Sequence, residues 1–272
     1  MECLGSLAEN CAPSSTYFAA RQRLLTPPWN DRILTLREVR NAGLDLAGNP
    51  NDLSIFGLKP LAWYALGIRI LGRTAVELTR DAHAKFMATS VARTLSKLSV
   101  SIEDVFDPFA GSGNMLFHMA KETNASHAIG LDAHAHISEL TRRNFRRLRF
   151  GMRLRGTEVS IVGHDWTAAK TLLRDRPTLF VISPPWGEAF TSAGLDLRKT
   201  TPAVMTILDY LGEGIRVTPA FVAIQTYPKM VLPSVTEILD RYQSYQTETS
   251  NDPYVKGSLD YLLLKLPSQS AT

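Results

Sequence analysis

The run Leu179-Phe180-Val181-Ile182 is apolar at every position. A strand of that kind has to be covered on both faces, which is what a parallel sheet wrapped by helices provides. The surrounding sequence supplies such a sheet. Phe86, Val91, Leu95 and Leu98 recur at helical spacing, so a helix is expected from Asp81 to Leu98. Strand-like and helix-like pieces then alternate: a strand over Glu103–Asp107, a helix over Asn114–Lys121, a strand over Ala128–Asp132 and a long helix over His136–Phe150. Further strands are expected at Val159–Gly163, Thr178–Ser183 and Ala220–Thr226. Near the end, Tyr242–Thr249 and Leu259–Leu266 flank the turn residues Asn251-Asp252-Pro253 and Lys256-Gly257, predicting a hairpin at one edge. The expectation is an α/β fold, doubly wound, with one antiparallel strand.

Composition removes several classes. The 272 residues are 44% apolar and 21% charged, which excludes a disordered chain, a collagen-like one or a coiled-coil rod. A net charge of +4 decides nothing about partners. Cys3 and Cys11 stand at the extreme N-terminus, without a metal-spaced histidine, so neither a zinc site nor a disulfide framework is expected. No apolar run approaches the roughly 18 to 20 residues of a membrane span. Met1–Ala20 carries Glu2 and Glu9 and lacks a basic leader with an apolar core. The expectation is a cytoplasmic protein without membrane contact. Residues 1–80 contain Pro27-Pro28-Trp29, Asn41-Ala42-Gly43 and Gly48-Asn49-Pro50-Asn51, turn chemistry between short apolar pieces. They are expected to form a small, mostly helical cap on a binding domain spanning 81–272.

The segment Val105-Phe106-Asp107-Pro108-Phe109-Ala110-Gly111-Ser112-Gly113-Asn114 follows a strand and opens a helix, the setting in which a glycine turn becomes a ligand site. Gly111 and Gly113 let the backbone turn and approach a ligand without an intervening Cβ. Leu116 stands where the third glycine of a dinucleotide loop would be, which weighs against a pyrophosphate. Asp107, before the loop, could reach a ligand amino group directly or through water. Asp132 lies about 20 residues past the loop, the separation at which a second-strand acid meets a ribose hydroxyl pair.

At the end of the fourth strand stands Ser183-Pro184-Pro185-Trp186-Gly187. Two prolines after a buried strand stop the ladder and hold a rigid turn. That arrangement is expected to leave the Pro184 carbonyl and the Ser183 hydroxyl at the carboxyl edge, where open α/β sheets bind ligands. Two acceptors beside the indole of Trp186 suit a planar amino group, held at its N–H bonds while its ring stacks.

Asp107-Pro108-Phe109-Ala110-Gly111-Ser112-Gly113 resembles the first motif of class I S-adenosylmethionine-dependent methyltransferases. Asp132 matches their ribose-binding acid, and Asp165, in Gly163-His164-Asp165-Trp166, the residue placed beside the adenine. Ser183-Pro184-Pro185-Trp186 resembles the (Asp/Asn/Ser)-Pro-Pro-(Tyr/Trp/Phe) motif of amino-methyltransferases, and is nearest to the RNA cap guanine-N2 enzymes that make trimethylguanosine. Two departures stand out. Ser183 is neutral where many relatives carry Asp or Asn, and Phe190 is the nearest ring after Gly187. The resemblance runs from about Asp81 to the C-terminus. It implies a Rossmann-like, mostly parallel seven-stranded sheet. It also implies S-adenosylmethionine held by Asp107, Phe109, Gly111, Gly113, Asn114, Asp132, Asp165 and Trp166, with Ser183, Pro184 and Trp186 at the chemistry and no metal.

Three other features have a plainer reading beside the functional one. Arg142, Arg143, Arg146, Arg147, Arg149, Arg153 and Arg155 could form a phosphate-backbone patch, but fit a solvated helix face opposite Leu140, Phe145 and Leu148 better. His134, His136 and His164 lack carboxylate partners at ligand spacing. Tyr17, Phe18, Trp29, Phe56, Trp63 and Tyr64 read as packing, with closure over a ligand as the alternative. The function expected is methyl transfer from S-adenosylmethionine to an amino nitrogen, with a small-molecule acceptor favoured and RNA possible. The alternatives are a cyclase that consumes the cofactor, giving azetidine-2-carboxylate and methylthioadenosine, and an inactive cofactor-binding subunit. The oligomeric state is not legible.

Overall fold

The computed structural model describes residues 15–150, 154, 156–214, 219–227, 229–245 and 261–267. Cys3, Cys11, Arg153, Arg155 and the turn residues Asn251-Asp252-Pro253 and Lys256-Gly257 lie outside them. The chain begins with helices α1 (Ser15–Leu25), α2 (Leu36–Ala47), α3 (Pro60–Ala65) and α4 (Gly72–Glu77), followed by the long α5 (Asp81–Lys97). Strand β1 (Asp104–Asp107), α6 (Asn114–Thr123), β2 (His127–Leu131), α7 (Ala135–Phe150) and β3 (Glu158–Val162) form the first half of the sheet. After α8 (Ala169–Leu172) come β4 (Thr178–Ile182), a short hairpin of β5 (Phe190–Thr191) and β6 (Gly194–Leu195), and α9 (Val204–Gly214). The chain closes with β7 (Ala220–Gln225), α10 (Leu232–Arg241), β8 (Gln243–Tyr245) and β9 (Tyr261–Lys265).

Seven strands make one sheet in the order β3-β2-β1-β4-β7-β9-β8. The pairs from β3 through β7 are parallel, whereas β9 runs antiparallel to both β7 and β8. This is the expected Rossmann-like, doubly wound sheet with a terminal hairpin at one edge. Its strand order reverses between β1 and β4, the switch point at which such sheets open a crevice.

Side-chain alternation along β4 explains its uninterrupted apolar sequence. Leu179 and Val181 join a core with Val105, Leu116, Phe117, Phe221 and Leu263. Phe180 and Ile182 face the other way, into a core with Phe106, Leu131, Val222, Ile207 and Ile238. The first core also takes Phe56, Trp63, Ile68 and Ile70 from the segment before α5, all buried. Within that segment, Thr35 and Glu38 cap α2 reciprocally and Gly48 ends it in a left-handed conformation.

Arg143, Arg146 and Arg147 are exposed while Phe145 and Leu148 are buried. Arg142 pairs with Glu139, and Arg146 lies 3.7 Å from the same carboxylate. Among the described residues, no helix is long and apolar enough to cross a membrane and no group of three metal-ligating side chains gathers.

Candidate functional site

The loop after β1 is built around its two acids. Asp107 ends the strand, 2% exposed, and its Oδ1 accepts the backbone N–H of Phe109 at 3.0 Å. Burial pushes its carboxyl up to about 7; the charge of Asp132 adds to this and the Phe109 N–H opposes it. Asp132 stands just past β2. It accepts the Gly111 N–H at 3.2 Å and the His134 N–H at 2.8 Å. Its carboxyl is raised by burial, against the pull of those two N–H groups and of Arg73.

The two glycines have different reasons to be there. Gly113 has a φ of 76°, and a Cβ on it would lie 2.4 Å from Cε2 of Phe145. Gly111, at a φ of 49°, would place a Cβ 3.9 Å from the nearest atom, the carbonyl oxygen of Phe109. Packing therefore demands glycine at 113, whereas the space beside 111 is open. Leu116 is fully buried, on the core side of α6.

Asn114 has a different place from the expected one. Its side chain is 1% exposed, with Oδ1 accepting from the N–H of Phe56 at 2.6 Å and Nδ2 donating to the Thr79 carbonyl at 2.9 Å. Both polar atoms are spent on tying α6 to the N-terminal segment. Asp165 is exposed and caps the turn Trp166–Ala168, its Oδ1 accepting from Thr167 N–H at 3.0 Å. Trp166 stacks over Phe109 at a centroid distance of 6.4 Å and an interplanar angle of 26°.

Across the β1/β4 crevice, Pro184 is buried while Pro185 is exposed. The Ser183 hydroxyl does not point outward unbonded. It donates to Oε1 of Gln225, at the end of β7, an oxygen that also accepts from Thr79 Oγ1 at 2.6 Å. Trp186 leans on Phe190 at 5.4 Å, and Phe190 meets Tyr227 edge-on at 4.6 Å. The rings nearest Trp186 thus come from β5 and from the segment following β7.

Helix α1 completes this aromatic group. Phe18 stacks on Phe190 at 6.4 Å, Tyr17 meets it edge-on at 6.3 Å, and Arg21 Nη2 donates to the Gly187 carbonyl at 3.1 Å. Burial raises the Tyr17 phenol, opposed by Arg21 and Arg80. Phe56 and Trp63, in contrast, are wholly interior. Gln225, Tyr227, Arg73 and Thr79 escaped the sequence reading. Gln225 stood near the end of the predicted strand Ala220–Thr226, but the pairing of that strand with the one carrying the Pro-Pro turn is seen only in the fold.

No family model and no curated protein matches the sequence. Among solved structures, the chain is similar to the Escherichia coli protein yhhF, assigned as a methyltransferase. The identity is 14%, covering 67% of this chain and 86% of that one, with a TM-score of 0.42. It is also similar to an rRNA methylase from Streptococcus thermophilus, at 16% identity, 66% and 95% coverage and a TM-score of 0.37. A third is MtNAS, solved in complex with MTA and tNA, at 12% identity, 96% and 85% coverage and a TM-score of 0.44.

Proposed function

We propose that the chain binds S-adenosylmethionine across the carboxyl edge of the sheet and transfers its methyl group to an amino nitrogen of a small or planar acceptor. The observation that carries this reading is the juxtaposition at the switch point. A glycine loop flanked by two acids ends β1 and β2, and a rigid Ser-Pro-Pro-Trp turn ends the neighbouring β4.

The residues present fit the cofactor. Asp107 offers a buried carboxylate for its ammonium group, and Asp132 keeps lone pairs for ribose hydroxyls beyond the two it spends on backbone N–H groups. The open face of Gly111 admits the ligand backbone-close, and the rings of Phe109 and Trp166 flank the adenine. When bound, the cofactor supplies an electrophilic methyl on a sulfonium. The protein supplies mainly orientation, which is worth about 7 to 11 kcal/mol when a nucleophile is held about 3 to 3.5 Å from its target. The Pro184 carbonyl and Ser183 Oγ accept the N–H bonds of the acceptor, so they favour the positive charge that grows on its nitrogen. Trp186 stacks on the acceptor plane, and Tyr17 and Phe18 exclude water from the opening.

A second reading has its own observation. With Arg21 bonded to the Gly187 carbonyl and Phe18 stacked on Phe190, α1 narrows the approach of any external acceptor. Cyclisation of the cofactor's amino-acid tail needs no such approach.

One experiment separates these readings. Purified protein is incubated with S-adenosylmethionine alone, with a small-metabolite extract, and with total RNA, and products are identified by mass spectrometry. S-adenosylhomocysteine that forms only with an added fraction supports transfer, and the fraction that works tells small acceptor from RNA. Methylthioadenosine together with azetidine-2-carboxylate, formed without any addition, supports cyclisation instead. Neither product, despite binding, would leave an inactive subunit.

A further inference from the structure

We propose that Gln225 is the positioning residue that makes Ser183 a pure hydrogen-bond acceptor at the reacting nitrogen. This rests on the reading of the Ser183 turn as the acceptor site and adds what controls that serine. Ile182 of β4 pairs with Ile224 of β7, so Ser183 and Gln225 are the next residues along two adjacent parallel strands. Their side chains meet at the carboxyl edge, where the Ser183 hydroxyl donates to Oε1 of Gln225.

A serine hydroxyl has one hydrogen and two lone pairs. With the hydrogen committed to Gln225, only lone pairs remain for anything in the crevice. That matters for amine chemistry. An uncommitted hydroxyl could donate to the nitrogen lone pair, the same pair that must attack the methyl carbon, and so hold the acceptor unreactive. A hydroxyl that can only accept takes an N–H of the acceptor instead. It leaves the lone pair free, and its oxygen faces the charge as it grows. In this way a neutral serine does part of the work that a charged or amide side chain does in the Asp and Asn forms of the motif.

Gln225 is itself pinned. Its Oε1 accepts a second hydroxyl, Thr79 Oγ1, at 2.6 Å, and Thr79 is buried, with its carbonyl held by Asn114 Nδ2 at 2.9 Å. Two hydroxyl donors saturate the two lone pairs of the amide oxygen. Contacts therefore run from Asn114, on the helix behind the glycine loop, through the Thr79 backbone and side chain to Gln225, and hold its amide beside Ser183 at the Pro-Pro turn.

The test uses two ligands that differ at the reacting position. Sinefungin carries an amine on carbon in place of the methylsulfonium, whereas S-adenosylhomocysteine has a bare sulfur there. Their affinities are measured by calorimetry for the full chain and for Ser183→Ala, Gln225→Ala and Gln225→Glu. The wild type binds sinefungin more tightly than S-adenosylhomocysteine. Ser183→Ala reduces that preference about ten- to a hundredfold, the size of one hydrogen bond to a charged amine. Gln225→Ala reduces it about five- to tenfold, because the freed hydroxyl still accepts but is no longer oriented or polarised by the amide. S-adenosylhomocysteine affinity stays as it was in Gln225→Ala. Gln225→Glu restores the preference, because a carboxylate accepts both hydroxyls as the amide oxygen does.

A Gln225→Ala protein with the wild-type preference overturns the proposal. So does a wild type without any preference, or a Gln225→Glu protein that behaves like Gln225→Ala. Equal weakening of both ligands in Gln225→Ala marks a merely structural role and also overturns it. If S-adenosylhomocysteine fails to bind the wild type at all, the cofactor reading itself falls and takes this proposal with it.

Discussion

Asp132 holds Gly111 by a hydrogen bond from the glycine N–H to its Oδ2, 3.2 Å long, while Oδ1 accepts from His134. The acid proposed to meet the ribose is thus also the strut that keeps the glycine bend against β2. Losing it should affect binding more than folding. A hydrogen bond to a charged group contributes about 1.5 to 3 kcal/mol, so Asp132→Ala should weaken S-adenosylhomocysteine about ten- to a hundredfold. Calorimetric titration of the two proteins checks this, with the melting temperature read alongside.

Asp107 predicts a pH dependence of stability with a definite sign. An unfolded chain ionises this carboxyl near pH 4, the folded one only near about 7. Between those values the folded state holds the extra proton, so stability falls as pH rises, by at most about 1.4 kcal/mol per pH unit. Above about 7 the loss is complete. Asp107→Asn lacks this titration, so its urea-unfolding free energy should vary less between pH 4 and 7 than that of the wild type. Cofactor binding should release a proton below pH 7, because an ammonium group beside Asp107 favours the ionised form. Titrations in buffers of different ionisation heat read that proton directly.

The two loop glycines should separate folding from binding. Gly113→Ala drives a Cβ to within 2.4 Å of Phe145 and 3.0 Å of Thr141 Cγ2, at a positive φ, and should cost about 2 kcal/mol or more. Gly111→Ala meets open space and should cost only the left-handed strain, about 1 kcal/mol. Its new methyl group occupies the face proposed to receive the ligand, so its affinity for S-adenosylhomocysteine should drop at least tenfold. Chemical denaturation and binding measured on both variants give the contrast.

The sequence made much of this sheet legible and left parts of it dark. Strands β1, β2, β4 and β7 announced themselves as short apolar runs with glycine or proline punctuation, whereas the edge strand β3 is largely exposed. Helix α9 went unread even though Val204, Ile207, Leu208 and Leu211 are buried at helical spacing. The hairpin of β5 and β6 spans two residues a side, too short for any periodicity. Within the site, Asp107, Asp132 and the glycines were readable as a motif. Asn114 was placed by its position in that motif, and structure turned its amide inward to Phe56 and Thr79, a partnership that joins residues far apart in the chain. Gln225 and Tyr227 likewise depend on which strands are neighbours, which a local pattern does not contain.

Trp186 and Phe190 touch, but should fail in different ways. Phe190 is 4% exposed among Trp186, Tyr227, Tyr17 and Phe18, so Phe190→Ala should destabilise the fold by about 3 kcal/mol or more. Trp186 is half-buried, and Trp186→Ala should cost less stability while removing the plane on which the acceptor stacks. Thermal unfolding together with turnover of S-adenosylmethionine in the presence of an active acceptor fraction distinguishes the two losses.

A crystal structure of the protein grown with S-adenosylhomocysteine bears most directly on the central claim. The account predicts ribose hydroxyls on Asp132, the amino-acid ammonium group at Asp107, adenine beside Phe109 and Trp166, and the sulfur facing Ser183 and Pro184. A ligand seated away from the β1/β4 crevice, or a crevice filled by the protein's own side chains at saturating ligand, would contradict it.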